Sequence, residues 1–572
     1  MAMQPLIHGT HHMVSSGHHL ATQAGYEVLE AGGNAIDAGV AAGIALSVVH
    51  SELVQFAGVA PIMVYLAEED RVVTISGLGW WPRATSLERF VSEFDGHVPP
   101  GILRTVVPAA PDAWIAALRR YGTMGFADVA SAAVRYAREG FSMHSLMCEY
   151  VSSHAEGYRR WPSNRDIYLP DGEPPGLGER FVQADLADAI QHMIDEESAA
   201  AGGGREAGLV AARDAFYRGD LARAMVRYHE ESGGWLTMED LAEYESAVEE
   251  PVVARLGDVE VYTCGPWCQG PALAQMVSLL DGIDVGALGH NSVQYMHTVT
   301  EAMKLCFADR ERYYGDPRFV DVPLARLLCD DYSRERRALI RPDRAWPSMP
   351  PAGDDGGGET FRTATPDTRP VASPVPASAD TSYCCAIDRQ GNCFSATPSD
   401  VSWQSPVIPG TGLCPSSRGS QSWAVPGHAS CVAPGKRPRL TPNPAFARVR
   451  GRRAMPFGTP GGDVQAQSML QVLLNVTRFG MGAQDAIEAP RFATHSFPNS
   501  FEPHGTFPGR LVVEGRIPET ITEELAARGH DVERVADFTS GMGAVCAIDL
   551  DLESGIMEGG ADPRRMSRAM GR

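Results

Sequence analysis

Thr381 stands where a hydroxyl could be turned into a nucleophile. It opens the run "TSYCCAIDRQGNCFSAT", directly after a stretch, about residues 341–380, rich in Pro, Gly, Asp, Thr and Ser and without sustained apolar period. A threonine hydroxyl attacks poorly at neutral pH until a base takes its proton, and a free α-amino group on the same residue is such a base. That amine has an ordinary pKa of about 7.7–8.0, so a useful fraction is unprotonated near neutrality. It exists only once the Asp380–Thr381 bond is broken. A chain using the device internally must therefore cut itself first, where an accessible stretch runs into a strand. A threonine opening a strand is commonplace, so its companions have to carry the argument.

Gly461 and Gly462, in "GTPGGDVQ", are one such companion. Two successive N–H groups in a glycine turn can form an oxyanion hole, where one lost donor typically costs about 2.7–4 kcal/mol of transition-state stabilisation. A phosphate-binding loop would need Lys-Ser/Thr after the glycines, which this turn lacks. Thr397 and Ser399, one hairpin arm beyond Thr381, are candidates to hydrogen-bond its hydroxyl. Neither Cys264 with Cys268 nor Cys384 with Cys385 has a second half at zinc-site spacing, and eleven irregularly spaced cysteines make no disulfide framework. The early histidines, His8, His11, His12, His18 and His19, read as loop residues. The sequence asks for no metal and no cofactor.

These residues need elements to hold them. Leu20 to Val49 predicts two helices, the first ended by Gly32-Gly33 and the second capped by Asn34 and apolar almost all round, hence an inner-layer helix. Further helices are expected near 112–120, 126–139 and 291–312. Alternation along Tyr383, Cys385 and Ile387, then Cys393 and Ser395, predicts a hairpin turning at Asp388–Asn392. A second hairpin is expected from Gly543 to Gly559, turning near Glu553-Ser554-Gly555. The chain thus reads as helix-rich before the linker and strand-rich after it, an α+β pattern.

Composition narrows the partners. A formal charge of −22 repels phosphate backbones and anionic lipid, which excludes nucleic acid and membrane surfaces as the expected partners. No Lys or Arg precedes Arg71, and Ala38 to Val49 is too short to cross a bilayer, so a cytoplasmic protein acting on a small molecule is expected.

Seven blocks in order resemble the γ-glutamyltranspeptidase family of N-terminal-nucleophile hydrolases: "GGNAIDAGVAAGIALSVVH" at 32–50, "RYYGDPRFVDVP" at 312–323 and "DTSYCCAIDRQGN" at 380–392. The others are "GKRPRLTPNP" at 435–444, "GTPGGD" at 458–463, "AIEAPRF" at 486–492 and "GGADPRR" at 559–565. The resemblance implies a four-layer αββα sandwich and self-cleavage before Thr381 into a large subunit, 1–380, and a small one, 381–572. The two would stay associated, and such heterodimers can pair again. It also implies Gly461 and Gly462 as the oxyanion hole and a threonine-like role near Ser399.

The family's substrate grip, by contrast, is altered. Leu78 in "SGLGWWPRA" stands where the family has the arginine that holds the donor carboxylate, with Arg83 five residues on. "LCPSSRGSQSWAVPG" has no carboxylate for the α-amino group, and Ser420 lies near that position. The family serines before the oxyanion turn align with Leu440 and Thr441, and Asp463 replaces a serine after it. Trp80, Trp81, Trp267 and Trp403 are candidate apolar walls. The expectation is an acyl-enzyme hydrolase acting on an amide or acyl substrate other than a standard γ-glutamyl donor. Hydrolysis of a carbon–carbon bond beside a ketone, as in relatives from secondary metabolism, γ-glutamyl transfer, and a silent scaffold are the alternatives.

Overall fold

The structure is a computed structural model that describes residues 3–354 and 381–572. Asp380 and the linker from 355 onward lie outside the described residues. Two seven-stranded sheets lie face to face. One runs in the order Ile7–Gly9, Met557–Ala561, Cys546–Asp551, Arg453–Gly458, Ala445–Val449, Val259–Thr263 and Val252–Leu256. The other runs Arg568–Gly571, Met13–Ser16, Cys384–Ile387, Cys393–Ala396, Ile62–Leu66, Arg71–Ile75 and Val248–Glu249. Every adjacent pair in both sheets is antiparallel.

Period-two patterning explains the layers. Tyr383, Cys385 and Ile387 point between the sheets, against Phe446, Ile548 and Leu550, while Cys384 and Ala386 point to a helical core on the other side. The outer face of the first sheet carries its own core, with the helices Gly270–Leu280, Val293–Tyr313 and Gln465–Arg478. This is the expected αββα sandwich.

The predicted helices form at His19–Glu30, Ala35–Val49, Ala110–Tyr121, Phe126–Glu139 and Val293–Tyr313. Asn34 caps the second with a reciprocal box: its side chain accepts from Asp37 N, and Asp37 accepts from Asn34 N. Ala35–Val49 is buried along its whole length, packed on the Thr381 hairpin's strands. Gly39 permits this approach, because a Cβ there would fall inside the ring of Phe394. Both predicted hairpins form, at Cys384–Ile387 with Cys393–Ala396 and at Cys546–Asp551 with Met557–Ala561.

The helix-rich part before the linker and the strand-rich part after it are both present, and each sheet draws strands from both parts. One expectation needs correction: residues 341–354 are not free linker. Polar side chains of Val293–Tyr313 hold their backbone: His297 to Arg341 O at 2.6 Å, Lys304 to Trp346 O at 2.9 Å, and Asp309 to Gly353 N at 2.8 Å.

Candidate active site

Thr381 is fully buried at the head of the first hairpin. Its backbone pairs with Ser399 in an antiparallel bridge, which brings the two side chains to the same face, and the hydroxyls share a hydrogen bond of 2.7 Å. Ser399 is in turn anchored to Val59 on its other side, through N–H···O bonds of 2.9 and 3.2 Å. Thr397, two residues back, is buried too, yet its hydroxyl has no hydrogen-bond partner among the described residues and does not meet Thr381. Of the two hydroxyl candidates, the geometry brings Ser399 to the site.

Three long side chains close around this pair. Gln465, the first residue of Gln465–Arg478, donates from Nε2 to Thr381 Oγ1 at 3.5 Å. Arg565 Nη1 donates to Thr381 O at 3.5 Å and Nη2 to Ser540 O at 3.2 Å. Arg565 also lines a cavity of about 350 Å³ with Leu146, Phe538, Ser540 and Met566. Arg418, 1% exposed, donates to Ser399 Oγ, faces Asp400 at 3.5 Å and lies over the Phe501 ring. Asp400, at a positive φ of 136°, accepts from Ser416 and Ser417 hydroxyls at 2.6 and 2.9 Å. Burial pushes the Asp400 carboxyl above its ordinary pKa, against the opposing pull of Arg418. A charge pair so sequestered fixes the loop that carries Ser420.

Gly461 and Gly462 both have positive φ, 121° and 56°, a conformation that side chains with a Cβ rarely adopt. Their turn is held from behind. Gln269 Nε2 donates to Gly462 O at 2.9 Å and to Thr441 O at 3.0 Å. Asp463 pairs with fully buried Arg310 and accepts from Ser500 N and Oγ at 2.7 and 2.6 Å. Asp463, expected to bind substrate, is therefore a buried anchor of this turn, because Arg310 and Ser500 already take up its carboxylate.

The remaining candidates divide. Thr441 Oγ1 accepts from Gln421 Nε2 at 3.0 Å, one residue from Ser420, so Thr441 and Ser420 sit on loops that touch. Leu78 is sealed in a cluster with Val59, Trp267 and Leu440, behind the backbone that pairs with Ser399. Trp80 packs on Tyr244 with ring centroids 4.9 Å apart, and Trp403 stacks on His154 at 4.0 Å. Trp81 is buried, donating to Ser422 at 3.0 Å, and Arg83 is exposed and paired with Glu243. These tryptophans serve the packing around the site. Gln269, Arg310, Arg418, Gln465 and Arg565 escaped the sequence reading. For Gln465 a signal existed, since a polar residue three after Gly462, at a helix start, is carried back over the glycine turn.

His18, His50 and His144 also cluster, with ring nitrogens within 4.8 Å of one another. Burial keeps all three neutral: it depresses His144 to about 4 and holds His18 and His50 well below the ordinary histidine value. His18 Nδ1 accepts from Leu20 N and His144 Nδ1 from Met147 N, each at 3.2 Å, capping two helices. Those bonds place the protons on Nε2. With Nδ1 of each ring already an acceptor at a helix cap and the proton on Nε2, neither His18 nor His144 offers a free lone pair to a metal.

Comparison with known proteins finds relatives along the length of the chain. The gamma-glutamyltranspeptidase family model matches residues 21–572. The acylase ACY 1 proenzyme of Pseudomonas sp. (strain SE83) is 33% identical over 523 residues, 89% of this chain and 85% of the relative. The glutathione hydrolase-like YwrD proenzyme of Bacillus subtilis (strain 168) is 31% identical over 574 residues, 100% of each. The solved structure of LmbA2991HD has a TM-score of 0.92 at 36% identity, over 100% of each chain. The chain belongs to the gamma-glutamyltranspeptidase family and is a hydrolytic enzyme.

Proposed function

We propose that this member of the gamma-glutamyltranspeptidase family cuts itself before Thr381 and then hydrolyses an amide or acyl substrate that is not a standard γ-glutamyl donor. The observation that carries the reading is the buried Thr381–Ser399 hydroxyl pair, 2.7 Å apart, at the head of the first hairpin. The proenzyme names of two relatives, one an acylase, support it.

In the precursor, Thr381 Oγ1 attacks the carbonyl before it, and the resulting ester is hydrolysed to products 1–380 and 381–572. The freed α-amine then accepts the Thr381 Oγ1 proton as that oxygen attacks the substrate carbonyl. The N–H groups of Gly461 and Gly462 receive the developing oxyanion, in a turn held by Gln269 and Asp463. The amine returns its proton to the leaving group, and water, deprotonated by the same amine, releases the acyl group.

Leu78 and Ser420 in place of charged partners disfavour a zwitterionic glutamyl head, because a buried charge left without its partner weakens binding. Intact mass beside Thr381→Ala tests the cleavage; a wild-type chain that stays whole defeats the reading. A panel of γ-glutamyl anilide, simple acyl anilides and β-diketones tests the substrate. Preferred turnover of the γ-glutamyl compound would restore that activity, and turnover of the diketones alone would mean carbon–carbon hydrolysis.

A further inference from the structure

We propose that Gln465 is a catalytic residue: its amide holds the nucleophile's oxygen through Nε2 and receives an N–H of the Thr381 α-amine at Oε1. This deepens the reading of Thr381 above and rests on it.

Gln465 is fully buried, and one end of its amide is already on Thr381 Oγ1 at 3.5 Å. The other end, Oε1, is buried with no hydrogen-bond partner among the described residues. Native proteins rarely leave such an acceptor unmatched unless function claims it. The two ends of a planar amide, like the amine nitrogen and hydroxyl oxygen of one threonine, lie about 2–3 Å apart. One glutamine can therefore meet both atoms.

Cleavage creates the need. The peptide N–H of Thr381 becomes an amine with a lone pair and additional N–H bonds, and a buried N–H requires an acceptor. Ser399 Oγ already receives Arg418 and shares a hydrogen bond with Thr381 Oγ1. Gln465 Oε1 can take an amine N–H, leaving the lone pair for the hydroxyl proton. The site also lies at the N-terminus of the fourteen-residue helix Gln465–Arg478, whose dipole favours negative charge on the attacking oxygen.

The chain offers a direct measurement of the amine. Its only lysines, Lys304 and Lys436, are 0% and 4% exposed. Carbamylation of the mature enzyme by cyanate, mapped by peptide mass, thus reads the pH at which the Thr381 amine loses its proton. In Gln465→Glu that midpoint should rise by about one unit, since a neighbouring carboxylate favours the ammonium. In Gln465→Leu the midpoint should fall, and self-cleavage should slow at least about tenfold in a chain with wild-type circular dichroism. A residue that only packs the helix would move neither readout. Wild-type midpoints and cleavage rates in both variants would overturn the proposal; if Gln465→Leu fails to fold, Gln465→Glu decides. A wild-type chain that never cleaves would instead defeat the reading of Thr381, and intact mass separates the two failures.

Discussion

At the scale of single residues, the site is a set of hydrogen bonds around one hydroxyl. Removing Ser399, as Ser399→Ala, deletes the 2.7 Å bond while leaving the backbone bridge. Losing about 1.4 kcal/mol of orientation predicts roughly tenfold slower self-cleavage, read as a mass time course. Asp463 behaves differently because its partner is a buried cation. Asp463→Ala leaves Arg310 paired only with Glu311, and stranding a buried charge costs about 3–5 kcal/mol. The urea midpoint should fall accordingly, together with the cleavage rate, since the same carboxylate anchors the glycine turn. An unchanged midpoint would mean that Asp463 is not the anchor described.

At the scale of elements, two contacts are exposed to test. The helix Ala35–Val49 reaches the Thr381 hairpin only because position 39 lacks a Cβ. Gly39→Val should force helix and strand apart, costing about 1–3 kcal/mol and slowing cleavage by displacing the hairpin. The second contact is the histidine cluster where three helix ends meet. His18 and His50 face each other, His19, His144, Arg565 and Arg568, with no carboxylate among these neighbours, and burial holds the three rings neutral. A folded-state value below the unfolded one means that the unfolded chain binds more protons. Stability is therefore full above about pH 6.5 and is lost progressively as pH falls from there toward about 4, where His144 itself titrates. His144 alone should remove about 2 kcal/mol by pH 5. Urea midpoints between pH 7 and 5 check this, and His50→Met should flatten the slope.

At the scale of the molecule, interleaving decides what cleavage can do. Cys384–Ile387 and Cys393–Ala396 lie between Met13–Ser16 and Ile62–Leu66, so the two expected products share both sheets. They should co-elute in gel filtration under native conditions and separate only in denaturant. Fragments that part in native buffer would contradict this topology. No helix among the described residues is long and apolar enough to cross a membrane.

What the sequence by itself determined follows from local rules. Asn34 before an apolar run caps a helix, alternation at 383–387 with a turn at 388–392 makes a hairpin, and glycines at 461 and 462 permit positive φ. Ordered motifs then placed Thr381, Ser399 and the glycine turn together through resemblance. Only the tertiary structure decided which side chains complete them. Arg310 and Asp463 are 153 residues apart, and Gln269 and Gly462 are 193 apart, so no local pattern reports these pairs. That is why Asp463, read as a substrate contact, is held by Arg310 and Ser500, why Leu78, read at the position of the family's arginine, packs against Val59, Trp267 and Leu440, and why Trp403, read as a wall, stacks on His154. Burial and partnership are properties of long-range contacts, and the strands that create them come from both sides of residue 381.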